Sequence, residues 1–178
     1  MPLLYLDIDG VLNDHQPLPN GYCGLVPVCV QNLCKILVEL PDVNIVLSSA
    51  WRYIMHKRDI TPRGFEYLMM IFGAPYDVIH ERIVTCTDTD EHTCLDVGLM
   101  EADAELDYEW LKENGMDLRV LQIERSSEWL FCGRSDGVYA ILDDLPLDSP
   151  HLIQTDGAIG LTEADADRVI EYFRVRSA

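Results

Sequence analysis

The chain has 178 residues, with 13 Lys and Arg against 31 Asp and Glu, a net charge of −18. That length suits one domain with a substantial core, and the acidic surface excludes sequence-blind binding to long nucleic acid. No apolar run approaches the ~20 residues of a membrane span, and the N-terminus lacks a signal peptide's basic-then-apolar pattern, so a soluble cytoplasmic protein with no membrane partner is expected.

In chain order, residues 3 to 8 read as a buried strand, "LLYLDI". The loop after it, "NDHQPLPNGYCG", is too rich in Pro and Gly for a regular element. Pro27 opens a helix at N1, with Val30, Leu33, Cys34, Leu37 and Leu40 on one face and Pro41 as its stop. "NIVLSS" is a second strand ending near Ser48, and Thr61 and Pro62 start a helix that Gly73 terminates. "RIVTC", residues 82 to 86, is a short third strand. Residues 88 to 109 hold nine acids and no Lys or Arg, which reads as a solvated segment. A short helix follows near Trp110 and Leu111, then a turn at "ENGMD". A further helix begins at Arg125 or Ser126 and runs through Trp129 and Leu130. "VYAILDD", residues 138 to 144, is the fourth strand and "HLIQT" the fifth. Thr162 caps the last helix, with Asp165 three residues on in a box-like arrangement.

Strands alternating with helices predict an α/β fold: a Rossmann-like, three-layer arrangement around a five-stranded parallel sheet. Nothing repeats, and no low-complexity linker divides residues 1 to 178, so a single domain is expected. Its one sizeable insertion is the acidic stretch at about 88 to 124. The apolar residues there, such as Leu95, Leu99 and Leu106, suit a small, partly helical lid beside the strand ends.

The first strand ends in Asp7 and Asp9, and the fourth in Asp143 and Asp144. Ligands in open parallel sheets sit beyond the carboxyl ends of the strands, where strand order reverses. If the two strands are neighbours, four carboxylates converge there. Their mutual repulsion calls for a cation, and oxygen-only ligands favour Mg²⁺ over zinc. A single Asp after a strand is a common turn residue, but two such acidic endings in one chain are not explained that way. The six cysteines include no CxxC pair and read as reduced. Cys86, His92 and Cys94 lie close in sequence but lack the second ligand pair of a zinc site.

Here a resemblance becomes specific. "DIDGV" resembles motif one of the haloacid dehalogenase (HAD) superfamily, "IVLSS" resembles motif two, and "ILDD" resembles the acidic pair of motif four. "DIDGVLN", "SSAWR", "RSSEWL" and the late "GLT" are similar to the HAD domain associated with multidomain RNA-repair proteins. The resemblance spans most of the chain outside roughly residues 88 to 124. It implies a Mg²⁺-dependent phosphatase. Asp7 would be the nucleophile that forms an aspartyl-phosphate. Asp9 would be the general acid and base, and would hold the metal through its backbone carbonyl. Asp7 and Asp143 would hold the metal, and Asp144 would hold a metal-bound water or orient Arg125. Ser48 would bind a phosphoryl oxygen, or Ser49 in its place, depending on strand registry. Arg125 is the choice for the motif-three cation, with Arg119 and Lys112 as rivals. Trp51 and Arg52 are candidate substrate contacts, as are Asn13 and Asp14 at the place of the family's flap.

Ser48 stands only 41 positions after Asp7, which leaves no room for a large cap there. A site with little cover can admit a nucleic-acid end, the acidic surface suits a nucleotide or another small phosphorylated substrate, and the resemblance implies a nucleotide or a nucleic-acid terminal phosphate. Two other readings use similar residues. A phospho-accepting receiver would carry its acidic pair on the first strand, which does not fit the pair at 143 and 144. A non-catalytic phosphate-binding or interaction module on the same fold is the alternative to an enzyme.

Overall fold

A computed structural model describes residues 1–17, 23–49, 78–79, 81–87, 109–115, 117–133 and 137–176, and the backbone at 56–57, 59–60 and 108. Strand β1 (Leu3–Leu6) is wholly buried. Helix α1 (Pro27–Glu39) follows, then β2 (Asn44–Leu47) and a two-residue hairpin of β3 (His56–Lys57) and β4 (Asp59–Ile60). Strand β5 (Ile83–Cys86), helices α2 (Tyr108–Glu113) and α3 (Leu118–Leu130), strands β6 (Tyr139–Asp143) and β7 (Leu152–Gln154), and helix α4 (Glu163–Arg176) complete the described chain.

The main sheet has five strands in the order β5-β2-β1-β6-β7, and every pairing in it is parallel. The expected α/β architecture is therefore present. The winding runs outward in both directions from β1, so the order reverses between β1 and β6. Side chains alternate between the sheet's two faces. Leu4, Leu6, Ile45, Leu47, Ala140 and Leu142 pack with α1 and α4 in one cluster. Leu3, Tyr5, Val46 and Ile141 pack with Ile123 of α3 in the other. The result is three layers. The strands are buried on both faces and so read as continuous apolar runs.

Helix ends follow local chemistry. Pro27 stands in the first turn of α1, as predicted. Thr162 and Asp165 form a reciprocal box before α4: Thr162 N donates to Asp165 Oδ2 (3.0 Å) and Asp165 N to Thr162 Oγ1 (3.2 Å). One boundary differs from expectation. Helix α3 starts at Leu118, not at Arg125 or Ser126, because Asp117 caps it by accepting from Arg119 N (2.9 Å) and Val120 N (3.2 Å). Residues 118–124 therefore belong to a core helix, with Gln122 and Ile123 buried, rather than to the insertion. The insertion's first part, residues 88–107, lies outside the described residues, as does the predicted helix after Thr61.

Candidate active site

The hydrogen-bond ladder runs one residue past β1, β2, β5 and β7. Ser48 N donates to Leu6 O (2.8 Å), Asp7 N to Leu142 O (3.0 Å), Thr87 N to Leu47 O (2.9 Å) and Thr155 N to Asp143 O (3.0 Å). Thr87, Ser48, Asp7, Asp143 and Thr155 thus line the carboxyl edge of the sheet. Asp7 follows Leu3 and Tyr5 by steps of two, and Asp143 follows Tyr139 and Ile141 likewise. Both acids therefore share the parity of the face that packs on α3.

Carboxylate oxygens of Asp7, Asp143 and Asp144 all lie within 4.8 Å of one another. Asp143 is 0% exposed and Asp7 nearly so. Burial pushes the Asp143 carboxyl up to about 7, more than the neighbouring Arg119 lowers it, and Asp7 adds to the rise. Burial likewise raises Asp7, against the pull of Arg119, a hydrogen bond from Ser49 and one from Ile8 N (2.8 Å). Asp144 fits its place because two glycines make room. A Cβ on Gly10 would stand 2.3 Å from the Asp144 Cγ, and one on Gly157 would stand 2.5 Å from its Oδ2. Gly10 also has φ +72°, a conformation that favours glycine.

Among the described residues, the cation at this cluster is Arg119. Its Nη1 lies 3.0 Å from Asp143 Oδ2 and 3.6 Å from Asp7 Oδ2, and it also donates to the Ser48 carbonyl. Arg119 is the rival to Arg125, the expected motif-three cation. Arg125 sits six residues further along α3, about 9 Å along the axis and roughly 240° around it, so it leaves the helix on another side. Its Nε is buried.

The remaining predicted residues divide clearly. Ser48 and Ser49 are both buried at the edge. Ser49 hydrogen-bonds Asp7, while the Ser48 hydroxyl meets no partner among the described residues. The Asp9 carboxylate is absent from the three-acid group and accepts instead from Asn13 Nδ2 (2.8 Å). Asn13, expected to touch substrate, is 0% exposed and spends its amide inside the loop. Asp14 turns back to accept from Gln16 N (3.1 Å). Lys112 lies in the last turn of α2. Trp51, Arg52, His92 and Cys94 lie outside the described residues. Three residues at the site went unread in the sequence. His15 Nε2 lies 3.2 Å from Asp144 Oδ2. Thr155 Oγ1 donates to Gly10 O at 2.9 Å. Asp117 sets where α3 begins, and an Asp before an apolar helical repeat is a cap signal that could have revealed it.

Three oxygen-donor side chains, two buried and Asp144 partly exposed, held at the switch point of a parallel sheet, fit a hard divalent cation. The model for the HAD domain in Swiss Army Knife RNA repair proteins matches residues 3–166. The chain belongs to that family. The match also spans the stretch that carries Arg119, where the sequence motifs were silent. No curated protein and no solved structure matches the chain. Typical HAD domains use Mg²⁺, and the three-Asp cluster of this one could hold it.

Proposed function

We propose that this HAD domain is a Mg²⁺-dependent phosphomonoester hydrolase that works through an aspartyl-phosphate on Asp7. The observation that carries the reading is the convergence of Asp7, Asp143 and Asp144 within 4.8 Å beside the guanidinium of Arg119. Asp7, Asp143 and Asp144 would hold the metal, which when bound offsets negative charge on nucleophile and phosphoryl group alike.

The chain's own residues then divide the work. An Asp7 oxygen attacks phosphorus, the bond to the leaving oxygen breaks, and Asp9 delivers a proton to that oxygen. In the second half, Asp9 takes a proton from water as the water oxygen attacks phosphorus, which releases phosphate and restores Asp7. Arg119 neutralises charge that builds on the transferred group. The Ser48 hydroxyl, buried and unpartnered among the described residues, is suited to donate to a phosphoryl oxygen. Ser49 holds the Asp7 carboxylate in place.

The substrate class we propose is a nucleotide or a nucleic-acid terminal phosphate. The family's association with RNA repair supports it, as does the lack of room for a large cap between Asp7 and Ser48. The test is Mg²⁺-dependent phosphate release from 4-nitrophenyl phosphate. A screen over mononucleotides, sugar phosphates and 3′- or 5′-phosphorylated oligonucleotides follows. Release that stops with chelator supports the reading. No release from any of them with Mg²⁺ present sinks it and leaves a non-catalytic module.

A further inference from the structure

The loop after β1 is built around one buried amide. Asn13 Oδ1 accepts two backbone N–H groups, from Gly10 (3.0 Å) and from His15 (3.2 Å). Those two donors fix which way the amide points, so Nδ2 is the atom that donates to Asp9 Oδ1 at 2.8 Å. The base of this device is rigid. Leu12 N donates to Ile8 O (2.8 Å), Leu161 N to Val11 O (2.7 Å) and Thr155 Oγ1 to Gly10 O (2.9 Å). Gly160 packs so closely that a Cβ there would stand 3.2 Å from Asn13 O and 3.0 Å from Val11 O.

An Asp two residues past Asp7 has reason to wander. Its side chain has several staggered rotamers, and Asp7, Asp143 and Asp144 all repel it. A neutral donor in a buried amide whose oxygen already serves two backbone N–H groups holds one rotamer without adding charge. We propose that Asn13 is a positioning residue for Asp9, one that keeps the carboxylate aimed at the leaving-group oxygen without touching substrate itself. The inference rests on the phosphatase reading above. It replaces the flap-contact role expected of Asn13 with one that acts through a second side chain.

The experiment compares two leaving groups. Nitrophenolate departs without a proton, whereas an alkoxide needs one, so in the first half-reaction loss of an aimed Asp9 weighs on alkyl phosphates alone, while the water-activating step of the second half is common to both substrates. Asn13→Asp retains the acceptor for Gly10 N and His15 N but replaces the donor to Asp9 with an acceptor. In Asn13→Asp, the single-turnover rate of leaving-group release from an alkyl phosphate should fall by about 100-fold or more, the lower range for general acid catalysis, and that from 4-nitrophenyl phosphate by less than about tenfold. Added to Asp9→Asn, the same substitution should cost nothing further. Equal loss on both substrates, no loss on either, or a further loss on top of Asp9→Asn would overturn the proposal. A second measurement needs no Asn13 variant. In the wild-type chain the Asn13 side-chain amide protons should exchange slowly by NMR, and their resonances should shift in Asp9→Asn. Unmoved resonances refute the contact. Wild-type protein silent on both phosphates and on every substrate of the screen above would instead refute the phosphatase reading, while the NMR result still decides the Asn13–Asp9 contact.

Discussion

Arg119 Nη1 lies 3.0 Å from Asp143 Oδ2, although the two residues come from different layers of the fold. Strand alternation turns Asp143 toward α3, and the Asp117 cap starts that helix early enough for Arg119 to stand over the sheet edge. The same guanidinium is 3.6 Å from Asp7. One cation therefore serves both the expected nucleophile and an acid of the candidate metal cluster.

Arg119→Ala should lower kcat by about 100- to 1,000-fold, the usual cost of removing one charge-stabilising donor. Arg125→Ala should leave kcat within about tenfold, because its side chain leaves α3 on another side. Steady-state kinetics on 4-nitrophenyl phosphate decide it. A larger loss in Arg125→Ala than in Arg119→Ala would return the motif-three role to Arg125.

Asp7→Asn should abolish turnover while the chain still folds. The metal-free protein should melt at the same temperature or higher, because a buried carboxylate whose protonated form is favoured has become neutral. Retention of more than a few per cent of wild-type activity, with folding checked by circular dichroism, counts against Asp7 as nucleophile.

The acid cluster should make metal-free stability depend on pH. Asp143 stands at about 7 in the folded chain, above the ~3.9 of an unfolded Asp. The folded state therefore binds more protons than the unfolded state between those values. Stability from this group is full below about 4 and declines as pH rises to about 7. Mg²⁺ binding only the folded chain should raise Tm at pH 7 and do less near pH 4, where protons compete. Thermal melts at both pH values, with chelator or Mg²⁺, read this directly, with Asp143→Asn as the control that should flatten the slope. A metal-free Tm that is no more pH-dependent in wild type than in Asp143→Asn would contradict it.

Asp165 behaves in the opposite sense. Burial alone would raise its carboxyl, but hydrogen bonds from Thr162 and Arg168 outweigh that and hold it below the ordinary range. Its contribution is therefore present above about pH 4 and is lost as pH falls through the folded value. Asp165→Ala should cost about 1 kcal/mol at neutral pH, as cap losses do, and the gap from wild type should narrow toward pH 3. Urea melts across that range measure the gap, and a constant difference would remove the ionic part of the account.

Much of this was legible in the chain because it is local. Apolar runs bounded by Pro, Gly and acids announced the five strands of the sheet, and the Thr162–Asp165 spacing announced the box before α4. Acid pairs directly after two apolar runs pointed to one metal-binding edge, and parallel-sheet geometry says where such endings meet. The sequence by itself thus determined the α/β class, the family resemblance and the acids Asp7, Asp143 and Asp144. Only the tertiary structure decided the rest. It chose Arg119 over Arg125, because facing across layers depends on where α3 begins and how it is rotated on the sheet. It gave Ser49 to Asp7 and left Ser48 unpartnered among the described residues, because strand registry and the turn after β2 set those directions. It turned Asn13 inward and brought His15 to Asp144, because a loop's side chains are aimed by contacts with distant segments. Periodicity carries information about which face a residue occupies, but not about which partner another element brings to that face.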